Sequence, residues 1–145
     1  MNSIEKILYN GEIVALILRN NYENSGVQFF TPQDFSLQMG SMSHPKGYEI
    51  SPHTHNQIRR EIVITQEVLL IKKGKVKVDF YSLLHEYLES RILYQGDIIF
   101  LASQGHGFTI LEETTMVEIK TGPYLGNDDK IRFHAKDSGG MYDSN

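Results

Sequence analysis

Short apolar segments separated by turn residues are what most constrains this chain. Ile4 to Tyr9, then Asn10-Gly11, then Ile13 to Leu18 reads as a β-hairpin, because Asn-Gly accepts the positive φ angles of a type I′ turn. Phe35, Leu37 and Met39 alternate with Ser36, Gln38 and Gly40, which predicts a half-buried strand. Val68 to Ile71, Lys72-Lys73-Gly74 and Val76 to Tyr81 predict a second hairpin. In its second arm Val76, Val78 and Phe80 face one way and Lys77, Asp79 and Tyr81 the other. Ser82 to Glu86 turns the chain into Tyr87 to Leu93, and Gly96-Asp97 introduces Ile98 to Leu101. Phe108 to Leu111 and Met116 to Lys120 complete the set, and only Pro32 to Phe35 reads as a short helical turn. Many short strands at this spacing predict an all-β sandwich or barrel.

The 145 residues suit one domain with a real core, 40% of them hydrophobic and 22% charged. That domain is expected over 1–133, followed by a mobile tail over 134–145 that lacks periodicity. The apolar runs Ile13 to Leu18 and Ile98 to Ala102 fall far short of the roughly 20 residues that span a bilayer, so no membrane is expected. Met1 to Lys6 shows no secretory signal. Zero cysteines exclude a disulfide framework and a thiolate metal site, in agreement with a cytoplasmic location. A net charge of -4 argues against a nucleic-acid partner, whose phosphates need clustered Lys and Arg.

The residues that carry chemistry fall in the pattern Gly47-x5-His53-x-His55-x11-Glu67-x6-Gly74. The spacing places the His53 and His55 imidazoles on one face of a strand, because side chains alternate with period two. Glu67 can join them as a carboxylate, and Gly74 sits where a hairpin would turn. Imidazoles plus a carboxylate, without thiolate, suit Zn, Fe, Mn, Ni or Co.

This pattern resembles the first signature of the cupin family, and Gly96-Asp97-Ile98-Ile99-Phe100-Leu101, ending at His106, resembles the second. The two cover residues 47–106, and the strand pattern extends the similarity to about 35–120. The sequence departs from the family in the long interval between His55 and Glu67, in Ala102 where proline is common, and in Ile110 where the second signature closes on asparagine. Glu61 is an alternative carboxylate; Glu67 is preferred because its spacing leads to Gly74, whereas that of Glu61 leads to Val68.

What the resemblance implies is a double-stranded β-helix, or jelly-roll barrel, with one divalent metal ion in its mouth. His53, His55, Glu67 and His106 match the ligands, and a homodimer is the expected assembly. The implied functions are a metal-dependent isomerase or epimerase acting on an oxygen-rich small molecule, an Fe(II) dioxygenase, or a non-enzymatic ligand-binding module. The whole chain also looks like small cupins of cell-surface polysaccharide synthesis, whose ligand would be a carbohydrate, a sugar or sugar nucleotide.

Other residues carry two readings each. His44 and His134 read as ordinary polar histidines, and His85 as a solvated hairpin tip. Glu118 and Lys120 read as the solvent face of a strand with Val117 and Ile119 inside. Turned over, the same strand would project both charges into the barrel as an acid–base or anion-binding pair. Tyr48, Tyr81 and Phe108 are either pocket lining or strand packing.

Overall fold

A computed structural model describes residues 4–135. The protein is nearly all β: β1 Glu5–Tyr9, β2 Glu12–Leu18, β3 Gly26–Phe29, β4 Gly40–Ser43, β5 Glu67–Tyr81, β6 Tyr87–Tyr94, β7 Ile98–Leu101 and β8 Gly105–Lys120. A 3-10 turn, Gly126–Asp129, follows. Among the described residues no helix is long and apolar enough to cross a membrane. The first hairpin forms as its sequence dictates, with Asn10 at φ 50° and Gly11 at φ 80°.

Six strands make one antiparallel sheet in the order β1-β2-β7-β5-β6, with β8 on the other edge of β5. The first part of β5 lies between β7 and the end of β8; its second part lies between β6 and the start of β8. The expected hairpin at Lys72-Lys73-Gly74 does not exist. The chain runs straight through as one 15-residue strand, and the two short strands expected near the C-terminus likewise merge into the 16-residue β8.

Gly74 is the bend of this ribbon. It sits at φ 100°, and an added Cβ would collide with the Glu113 carbonyl and the Thr114 side chain. The β5–β8 register shifts three times between Ile71 and Val76, as β-bulges do when they sharpen the curl of a strand pair. One consequence is a change of parity. Leu69 and Ile71 before the bend and Val76, Val78 and Phe80 after it all enter the same core. The sheet therefore curls into an antiparallel half-barrel.

Its concave face is filled by Ile7, Ala15, Ile17, Leu93, Ile99 and Leu101 together with those β5 residues. A second cluster, Leu16, Met39, Phe100 and Ala102, lies on the other side of β2 and β7. Phe35 and Leu37 pack against it, so the inward alternation is real. The strand expected there is not. Residues 30–39 form a loop whose backbone is held by side chains, with the Thr31 hydroxyl taking the Met39 amide, the Gln66 carbonyl oxygen taking the Leu37 amide, and Gln38 donating to the Pro32 and Phe35 carbonyls. β3 and β4 pair in a separate two-stranded ribbon that leads out of this loop.

Candidate functional site

Residues that face each other across an antiparallel pair share a side of the sheet. Glu67 lies opposite Lys120, Leu69 opposite Glu118, Ile71 opposite Met116, Val78 opposite Phe108 and Phe80 opposite His106. All of these side chains therefore share the concave face. Val117 and Ile119, expected inside, are exposed on the convex side, and the strand presents Glu118 and Lys120 inward instead. The bulges set this orientation, and period-two reading of Met116 to Lys120 cannot see them.

Along the ribbon Glu67 and His106 sit at opposite ends of β5's partnership with β8, yet the curl brings His106 Nε2 to 3.4 Å from Glu67 Oε2. Glu67 is mostly buried, with a side-chain exposure of 13% against 31% for His106. Phe108 flanks the imidazole with ring centroids 5.7 Å apart, and Lys120 Nζ lies 5.3 Å from the ring centre of Tyr124. The mouth of the half-barrel thus holds an imidazole, two carboxyls and an ammonium above the half-buried apolar side chains of Met116 and Phe108.

The two carboxyls have been pushed apart electrostatically. The His106 hydrogen bond, helped by His106 charge and by Glu118 and Lys120, holds Glu67 below the ordinary carboxylate range although burial opposes it. Glu118 moves up, first through lost hydration and then through the charge and hydrogen bond of Glu67. Divergent carboxyl environments of this kind separate an acid from a base.

His53 and His55 are elsewhere. Residues 44–66 contain no strand, so the expectation of two imidazoles on one strand face is corrected. This stretch is an arm without strand pairing. His53 Nδ1 lies 2.8 Å from the Ser51 carbonyl, and its ring meets His55 edge-on at 5.2 Å. His44 and Tyr48 stack in the same arm at 4.1 Å. Among the described residues no three His, Asp or Glu side chains gather closely enough to hold a metal ion. Within one chain the proposed ligands form two separate pairs, His53 with His55 and Glu67 with His106, and this arrangement does not fit a single ion. Glu61 lies at the base of the arm, beside a groove of about 630 Å³ that also involves Phe35, Val63, Gln66 and Ala102.

The remaining aromatic candidates also separate. Phe108 lines the mouth; Tyr48 stands on the arm; Tyr81 is buried on the convex side against Phe133, with ring centres 5.2 Å apart. His85 is half-buried rather than solvated, stacked on Phe133 at 3.9 Å. The tail expected over 134–145 lies largely outside the described residues.

One polar group escaped sequence reading. Lys77 and Asp79 are buried on the convex face, with Nζ and Oδ2 3.0 Å apart. Ser90 donates to Asp79, and Tyr87 lies 3.0 Å from the Ser90 hydroxyl. Alternation marked the Lys77 face as the polar one, but nothing in the sequence signals that it is covered.

Comparison with protein-family models, with curated proteins and with solved structures finds no match to this chain.

Proposed function

We propose that this protein is a jelly-roll domain of the cupin type whose concave mouth binds a sugar, sugar phosphate or sugar nucleotide and moves a proton on it, as an isomerase or epimerase does. One observation carries the reading: Glu67 lies 3.4 Å from His106 and shares the concave face with Glu118 at the open end of an apolar trough.

In this reading Glu118 is the proton carrier. As a carboxylate it takes the proton from a carbon next to the sugar carbonyl; the C–H pair becomes the enediolate double bond, and the carbonyl oxygen takes the negative charge. The same carboxylic acid then returns the proton to the neighbouring carbon or to the opposite face. Lys120 supplies positive charge for that oxygen or for a phosphate, and Glu67 with His106 holds the carboxyl pair in register. Met116 and Phe108 offer an apolar surface for the carbon face of the sugar.

The test is proton NMR in D2O with a panel of keto-sugars, hexose phosphates and nucleoside diphosphate ketohexoses. The expected result is deuterium incorporation at a carbon adjacent to a carbonyl, lost by about 100-fold or more in Glu118→Gln while binding persists. Binding without exchange would make the protein a ligand-binding module. Oxygen uptake with added Fe(II) and no exchange would make it a dioxygenase. Either result contradicts the proposal.

A further inference from the structure

The chain after β8 joins the two lips of the mouth. It leaves beside Glu67, where the Thr121 amide donates to the Gln66 carbonyl at 3.0 Å. It arrives beside His106: the Phe133 ring lies 5.2 Å from that of Tyr81, and a Cβ placed on Gly105 would be 3.5 Å from Phe133 Cζ. Glu67 and His106 face each other at 3.4 Å, so a segment with one end beside each of them runs along the rim. Asp129 is still on the Glu67 side, where it takes the Thr65 hydroxyl at 2.5 Å. The crossing is therefore made by Lys130, Ile131 and Arg132, and it begins extended, with Lys130 at φ -145° and ψ 155°. At about 3.3 Å per residue, the steps from Asp129 to Phe133 bridge roughly 13 Å.

The ends of this segment are held and its middle is not. Phe133 fits against two rings: His85 stacks on it at 3.9 Å with 3° between the planes, and Tyr81 meets it edge-on. The turn over 82–86 presents His85 there at φ 67°. Between the anchors the 3-10 turn buries no residue, and Tyr124, Leu125 and Ile131 are all exposed. A cavity of about 190 Å³ lies between residues 121–129 and the base of the arm at 62–65. A segment with point anchors and little buried apolar area opens without global unfolding. Each ring pair favours the docked form by roughly 2- to 10-fold, which disfavours opening without preventing it. In the docked position the positive charge of Lys130 acts on Glu118 and opposes the larger effects that raise it.

We propose that residues 129–133 form a strap latched across the rim by Phe133, which holds Lys130 near Glu118 and must release before a small molecule reaches His106. Phe133 is then a positioning residue, acting on the mouth through the strap. The inference rests on the proposed function only in taking the concave mouth as the place where a ligand enters.

Diethyl pyrocarbonate modification of the intact chain, read histidine by histidine by mass spectrometry, tests the latch. His106 should react about 10-fold faster in Phe133→Ala, which loses both ring contacts. The rise should be smaller in His85→Asn, which loses one contact and accepts the positive φ. The double variant should match Phe133→Ala, because the two changes remove the same latch. His53 and His55, on the arm, should keep their wild-type rates. Both replaced side chains are only half-buried, so the variants keep the fold, which circular dichroism checks. Unchanged His106 rates in both folded variants, or a uniform rise at every histidine, overturns the latch. A carboxyl titration reads the position of Lys130: Lys130→Met and Phe133→Ala should both move Glu118 upward. A Glu118 titration unmoved by Phe133→Ala overturns that positioning. Neither readout uses a sugar or proton exchange, so the strap and the proposed catalysis fail separately.

Discussion

His106 pairs with Phe80 and Glu67 pairs with Lys120, at the two extremes of the same strand pair, and still their side chains meet at 3.4 Å. Only a ribbon folded back on itself permits this. The fold is therefore not a passive support for the site: the bend at Gly74 is what creates it. Placing any side chain at Gly74, where φ is 100° and the Glu113 carbonyl and Thr114 lie within collision distance, forces the bend open. Gly74→Ala should lower stability by about 1–3 kcal/mol in urea denaturation. It should also move Glu67 toward an ordinary carboxylate titration in carbon-detected NMR. A variant as stable as wild type with Glu67 unchanged would contradict this role.

The electrostatics of the mouth predict a pH signature with two opposite signs. Glu67 is held below its ordinary value, so its contribution to stability is present above the unfolded carboxylate value near 4.5 and is lost as pH falls through the folded value. Glu118 is held above that value, so its neutral form favours folding at low pH and the advantage disappears as pH rises through the folded value. Glu118→Gln should therefore raise the melting temperature at neutral pH, with the difference vanishing below about pH 4. His106→Ala should shift Glu67 upward. Thermal scans across pH 3–8 and a carboxyl titration of each variant check both.

Burial of a charge pair on the convex face predicts an asymmetric mutational response. Asp79→Ala leaves the Lys77 ammonium without its carboxylate in a fully buried position and should cost about 3–5 kcal/mol. Replacing both with apolar residues of similar volume, Lys77→Met with Asp79→Leu, should cost far less than the single change. Chemical denaturation of the two variants decides it; equal losses would contradict the account.

The second cluster has its own consequence. Phe100 is fully buried between the sheet and the 30–39 loop, stacked on Phe35 with ring centres 5.9 Å apart. Phe100→Ala should destabilise by about 3–5 kcal/mol. Hydrogen exchange should show Met39 and the loop amides losing protection before β5 does. Uniform loss across the sheet would show that this loop is not a separable layer.

Much of this architecture was legible from local chemistry. Asn10-Gly11 specified the first hairpin, Ser82 to Glu86 the next turn, and Gly96-Asp97 the entry to β7, where Asp97 takes hydrogen bonds from Arg19, Asn20 and Tyr94. Turn residues also misled. Lys72-Lys73-Gly74 carries the same composition as a hairpin turn, and only the long-range pairing with Glu112 to Thr115 distinguishes a bend from a reversal. Glu67 and His106 were singled out by spacing and Glu118 and Lys120 by alternation, but which way the last two face was not legible, because bulges change side-chain parity without changing composition. His53 and His55 looked like strand residues by their period, and in the single chain the strand that would hold them is not formed.

Chemical-shift mapping with a nucleoside diphosphate hexose tests the central claim most directly, through the Met116 methyl and the His106 ring. Both should shift together on titration, saturate at one ligand per chain, and lose the response in Lys120→Met. Shifts confined to the groove beside Phe35 and Ala102, or none at the concave mouth for any sugar tested, would contradict the placement of the site.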